Sequence, residues 1–320
     1  MSATQPAERH AAHRPVHTLT FAGAVRSEWC KMWSAMSTYV LLVLCVAFFA
    51  VNSLMIGWLL NFMASQEAMP VGMEDVWTTA STGATDGMLI VGILGVMVMT
   101  SEYSSQSIIT SLTVNPRRAM FMDAKALVLA AVTFLASFVG VLVAWGCAWL
   151  MVHGAVSTGT QAMPAALPWV TLLGVPLAMA LTAVMAMGFG AMLRSTVGGV
   201  LCVVGLFTLL PSILQLAQLL GDRFAWIVSV NNCLPSRALE SFIGAGASSF
   251  ANSMGAVMTV GSTQPFQPTW GWAGVILLAW AVAVYAAGLA LACDAAGRED
   301  FKTFWAFAES DVGKMALKNT

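Results

Sequence analysis

The residues able to do chemistry in this chain are few, and the densest group lies between Ser101 and Lys125. It reads Glu102-Tyr103-Ser104-Ser105-Gln106-Ser107-Ile108-Ile109, then Asn115-Pro116-Arg117-Arg118, then Asp123-Ala124-Lys125, with long uncharged apolar blocks on both sides. The segment holds no histidine or cysteine, so its chemistry is recognition by charge and hydrogen bonding rather than bond-making. A charged, helix-prone loop between two membrane spans is a place to touch a soluble partner, and the side it faces decides what it can touch.

Elsewhere the motifs of catalysis are missing. There is no Gly-x-x-x-x-Gly-Lys-Ser/Thr loop; the one Gly-Lys pair, Gly313-Lys314, is followed by Met315 and lacks the upstream glycine. No His-Glu-x-x-His, Gly-x-Ser-x-Gly or intramembrane Ser/His/Asp set occurs. We therefore expect no enzymatic activity and no ATP or metal site in this polypeptide. His10, His13 and His17 would need a helix and further ligands to hold a metal, and no cysteine or carboxylate cluster completes them. Of the cysteines, Cys45, Cys147 and Cys202 read as mid-span, Cys30 and Cys293 as near the inner face, and Cys233 as alone outside, so no intrachain bridge is expected.

Composition states what must position the polar segment. The chain is 58% hydrophobic and 9% charged, with a mean hydropathy of +0.79, whereas soluble domains carry about 25% charged residues. This is an all-α integral membrane protein. A helix needs about 20 apolar residues to cross the hydrocarbon core, and blocks near that length run at about 39–60, 126–152, 169–193, 197–220 and 272–293. A sixth, at 84–101, is richer in glycine and threonine; we place its Asp86 at the outer boundary, where a carboxylate is cheap. With six spans, twelve of the fourteen basic residues fall on one side and only Arg223 and Arg237 on the other. Positive charge marks the cytoplasm, so both termini and the 101–125 segment are expected there, in a cell membrane protein. Trp33 and Tyr39 at one level, and Trp58, Trp145, Trp149, Trp169, Trp270 and Trp272 at the other, suit the two headgroup belts.

This divides the chain into a disordered tail (1–18), an interfacial helix (19–37), a six-span domain (38–293) and an amphipathic cytoplasmic tail (294–320). The interfacial helix sets Phe21, Val25, Trp29, Met32, Trp33 and Met36 at helical spacing against Arg26, Ser27 and Lys31. The tail does the same with Phe301, Phe304, Trp305 and Ala308 against Arg298, Glu299, Lys302 and Glu309. Both suit membrane-surface anchoring, to which a contact with a cytoplasmic partner can be added. The long outer segment 221–271 begins with an apolar stretch, Phe224–Ile243, apolar enough either to pack on the protein or to dip into the membrane as a re-entrant pair of helices, with Leu234 and Pro235 expected to cap the outer end of a pathway. Its second part, Gly244–Pro268, is glycine-, serine- and threonine-rich.

Ion-coupled carriers hold titratable groups at mid-depth; mid-span polarity here is limited to Asn52, Thr133, Ser137, Thr182, Thr208, Gln215 and a few neighbours. Gln215 and Gln218 stand one turn apart past Pro211, which we expect to kink span five rather than end it. Asn52, Gln215 and Gln218 either bond between helices or line a weakly polar path. Gly83 and Gly87 form a Gly-x-x-x-Gly spacing that favours close helix packing. Nothing points to a nucleic acid.

The order Glu102-Tyr103, Ile108, Leu112, Pro116-Arg117-Arg118, Ala124-Lys125 before an apolar helix resembles the membrane subunits of type-2 ABC exporters. Arg26-Ser27-Glu28-Trp29-Cys30-Lys31 is similar to that family's N-terminal interfacial helix, and Leu234-Pro235-Ser236 to its loop before the last span. The chain departs where the family has Gly-Thr, here Gln106-Ser107, and where a basic residue often follows, here Ile109. The resemblance covers the whole topology, with motif-level likeness in about thirty residues. It implies a permease that pairs with a second permease subunit, the same or different, and docks an ATP-binding subunit carrying ATP and magnesium. A coupling helix between spans two and three would then present Ile108, Ile109 and Leu112 to a groove on that partner. Glu102, Tyr103, Arg117 and Arg118 would fix the orientation. An amphipathic or apolar cargo suits uncharged spans. The rival reading is a polytopic sensor or scaffold that holds a cytoplasmic partner without transport; a secondary carrier fits the uncharged spans poorly.

Overall fold

Six helices long and apolar enough to cross a membrane run through the computed structural model: Met36–Ser65, Met73–Tyr103, Met120–Val152, Leu167–Leu193, Thr196–Leu216 and Trp270–Ala292. The structure describes residues 20–66, 70–104, 118–156, 163–216, 225–247 and 266–309, with helix but no side-chain placement from 293 onward. The helices are α1 (Phe21–Ser34), α2 (Met36–Ser65), α3 (Met73–Ser104) and α4 (Arg118–Val152). They continue as α5 (Leu167–Leu193), α6 (Thr196–Leu216), α7 (Ala225–Asn232), α8 (Pro235–Ile243) and α9 (Trp270–Glu309). Among the described residues there is no strand, only an isolated bridge between Val71 and Val156.

Small residues set the packing. α5 and α3 are the most enclosed spans. α5 packs against α3, α4 and α9, while α3 also meets α2 and α6. At the crossing of α5 and α9 a Cβ on Gly188 would lie 2.7 Å from the Val284 carbonyl oxygen, and one on Gly288 would lie 2.7 Å from the Gly188 oxygen. Only glycine permits the two backbones to come so close. Gly83 and Gly87 do press on one neighbour, Phe49 of α2, as their spacing suggested.

Apart from Pro168 in the first turn of α5, the two prolines within spans act alike. A proline in a helix removes one amide donor and crowds the carbonyl a turn earlier. Each is preceded by a π-helical turn, Val170–Gly174 before Pro176 and Gly205–Leu209 before Pro211. The extra residue in the turn relieves the crowding, and both helices continue; Pro211 does not end its span.

The second span differs most from expectation. It begins at Met73, not near 84, so the segment from 61 to 83 is largely helix. The threonines and serines that lowered its hydropathy satisfy themselves within the helix. Thr78 donates to the Glu74 carbonyl, Ser81 to Thr78, Thr82 to Thr79 and Thr85 to Thr82, so polarity does not end the helix. Asp86 therefore lies well inside the span rather than at its boundary.

Candidate functional site

α1 meets the bundle through Glu28 and Met32, its two buried residues. Val25, Glu28 and Met32 are spaced by three and four, which places the glutamate on the apolar side of the helix. Trp29 and Trp33 are left exposed on the other side, ring against ring at 5.7 Å, and Arg26 is exposed as well.

Glu28 is buried because it has partners. Lys125, on the second turn of α4, is 4% exposed; its Nζ donates to Glu28 Oε2 at 2.5 Å and to Glu102 Oε1 at 2.8 Å. Lys31 donates to Glu28 Oε1 at 2.7 Å and lies 3.5 Å from Glu102 Oε1. Two glutamates and two lysines thus make a neutral cluster drawn from α1, α3 and α4. The Phe121 ring lies 5.3 Å from the Lys31 ammonium and 5.2 Å from that of Lys125, covering both. Burial by itself would lower the pKa of Lys31; the hydrogen bond and charge of Glu28, and then Glu102, outweigh it and hold it above its ordinary value.

The cluster forms one wall of a cavity of about 340 Å³ whose other walls include Met32, Thr38, Leu94, Met97 and Ser101. Nearby, the Arg194 guanidinium lies over the Tyr103 ring at 5.7 Å, and Tyr285 of α9 donates to Asp123 of α4 at 2.6 Å. These contacts define one end of the bundle, hereafter the basic end.

Two further polar groupings lie along the molecule. Asn52 of α2 donates to Asp86 Oδ2 of α3 at 3.0 Å, and Asp86 is exposed on the bundle surface. From Asp86 to Glu102 is sixteen residues of one helix, about 24 Å along its axis. At the end opposite the cluster, Arg237 of α8 bonds Glu240 at 2.7 Å and also donates to Gln215 of α6. α7 and α8 sit there. Phe242 fits between Gly174 of α5 and Gly274 of α9, and Trp280 of α9 donates to the Cys233 carbonyl at 2.9 Å.

The residues singled out in the sequence thus fall into three places. Glu28, Lys31 and Glu102 join in the basic-end cluster, with Tyr103 beside it and Arg26 and Trp29 outward. Glu102 is turned into the protein rather than out toward a partner, because Lys125 draws its carboxylate inward. Asn52 belongs with Asp86, and Gln215 with Arg237. Leu234 and Pro235 are buried at the start of α8. Ile108, Ile109, Leu112, Arg117 and Gln218 lie outside the described residues, as do the 1–18 tail and its histidines; Arg118 opens α4, with no side chain described. Lys125 enters the sequence reading as a basic residue of the 101–125 segment and of the family-like motif; its place as the buried centre of the cluster comes only from the fold. Among the described residues no three histidine, cysteine or acidic side chains gather as a metal site.

No protein-family model matches this sequence, and no curated protein matches it significantly.

Proposed function

We propose that this chain is the permease subunit of an ATP-driven exporter resembling the type-2 ABC class. It lies in the cell membrane with both termini in the cytoplasm, pairs with a second permease subunit and takes its energy from a separate ATP-binding subunit. The observation that carries this reading is the buried Glu28–Lys125–Glu102 cluster. Its members stand on the helices that flank segment 105–117, and on the interfacial helix packed beside them. A displacement of that segment by a docked partner would move α1, α3 and α4 as one body, because separating any of them uncovers a buried charge.

In this reading the basic end is cytoplasmic, α7 and α8 form a re-entrant pair at the outer end, and Ile108, Ile109 and Leu112 fill a groove on the ATPase. Arg117 and Arg118 fix its orientation by charge.

The test is to purify the chain with its native complex and identify what comes with it. A P-loop ATPase is expected, and an Arg117→Ala/Arg118→Ala double variant should lose most of the vesicle export driven by ATP. A stable complex without an ATPase, together with a partner bound to the 105–117 segment, would instead establish the scaffold reading.

A further inference from the structure

The surface of α3 divides into sectors. Gly83 and Gly87 face α2, where they meet Phe49. Gly92 faces α6, where it meets Val203 and Phe207. Between these contact lines, at spacings of three and four, lie Thr82, Asp86, Leu89, Ile93 and Met97, all exposed or half-buried, while most of the residues beside them are buried. The sector is thus an open groove with α3 as its floor and α2 and α6 as its walls. It leads along α3 toward the cavity at the basic end, which Met97 and Ser101 help to line.

Asp86 is the one acidic side chain described in this groove. The amide of Asn52 on α2 donates a hydrogen bond to it but carries no charge. A carboxylate inside a span is costly where it meets lipid, and such groups mark paths for ions and substrates. The basic-end cluster sets two lysines against two glutamates, so its charges are answered within the protein.

We propose that Asp86, oriented by Asn52, binds the positively charged group of an amphipathic organic cation whose apolar body lies along Leu89, Ile93 and Met97. The inference rests on the transport reading for its biological sense and names the cargo class: lipophilic cations. The apolar residues beside Asp86 on α3 favour an organic cation over a small inorganic one, because a bare sodium or potassium ion would meet one carboxylate and few other oxygens.

The test compares two ions of nearly equal size and shape and opposite charge. The full-length chain in phosphatidylcholine nanodiscs is titrated with radiolabelled tetraphenylphosphonium, with tetraphenylborate or sodium chloride as competitor. Saturable binding of the cation is expected, with no competition by the borate and little by sodium. Asp86→Asn should weaken it at least tenfold, Asp86→Glu should largely retain it, and Asn52→Lys, which supplies an internal ammonium, should abolish it. The inference is overturned if the wild-type chain shows no saturable binding, if borate or sodium competes equally, or if Asp86→Asn or Asn52→Lys binds as wild type. Binding needs no ATPase. Asp86-independent binding by a chain that still holds an ATPase would remove this inference alone; Asp86-dependent binding without an ATPase would remove the transporter reading alone.

Discussion

Lys125 is the residue on which the basic end depends most. Its ammonium stands between two carboxylates, and both it and Glu28 are almost wholly buried. Lys125→Met keeps the volume but leaves Glu28 and Glu102 facing each other, with the half-exposed Lys31 as the remaining described lysine between them. Removing one partner of a buried pair costs about 3–5 kcal/mol. The variant should therefore melt well below wild type in detergent, while E28Q/E102Q/K125M, which removes the charges together, should recover most of the loss. Equal melting of the single and triple variants would show that charge compensation is not what the cluster contributes. Lys31 sets the pH dependence. Its pKa is raised in the folded state, despite the opposing effect of burial, because Glu28 and then Glu102 favour the charged form. Its contribution is complete below the unfolded lysine value of about 10.4 and is lost as pH rises through the higher folded value. Wild type should thus lose stability across that alkaline window more steeply than Lys31→Gln, as read from melting curves at stepped pH.

At the scale of the element, backbone approach rather than hydrophobicity decides which helices touch. α5 and α9 meet through Gly188 and Gly288, each glycine set where the other backbone leaves no room for a Cβ. Gly188→Ala would gain up to about 1 kcal/mol of helix propensity, but its methyl would meet the Val284 oxygen at 2.7 Å and adjoining backbone at 2.9 Å. Neither neighbour is a flexible side-chain end, so the helices must separate; overpacking of this kind costs about 1–3 kcal/mol. The clash should win, and Gly188→Ala should melt below wild type, whereas Gly205→Ala, where nothing lies within 4 Å, should not. The sequence made the spans legible because apolar length is a local property. The pressing of Gly83 and Gly87 on a neighbouring helix was legible for the same reason. The true start of α3 was not. Hydropathy counts each threonine as polar, while in the helix its hydroxyl is absorbed by a carbonyl three or four residues back. Glu28 as an inward residue was present in its spacing from Val25 and Met32, but its partner Lys125 is 97 positions away, and only the fold brings them together.

For the whole molecule, the arrangement of charge and aromatic rings sets an axis. At one end lie the Glu28–Lys125–Glu102 cluster and the Arg194–Tyr103 contact. At the other, Trp77 lies tilted against Trp145 at 5.6 Å and Trp145 stacks on Trp149 at 6.2 Å, with the His153 ring 6.2 Å from Trp149. Under the function proposed above, the excess of lysine and arginine around the first end would put it in the cytoplasm by the positive-inside rule. The aromatic row would then stand at the outer headgroup level. The axis yields a direct measurement. In a chain with all six cysteines replaced by alanine, single cysteines at Ser27 and His153, both exposed, report the two ends. A membrane-impermeant maleimide should label Ser27→Cys in inside-out vesicles and not in right-side-out ones, and His153→Cys the reverse. Labelling of both from one side would break the six-span topology. A reversed pattern would keep the six spans but turn the 105–117 segment away from the cytoplasm, beyond the reach of any ATP-binding partner.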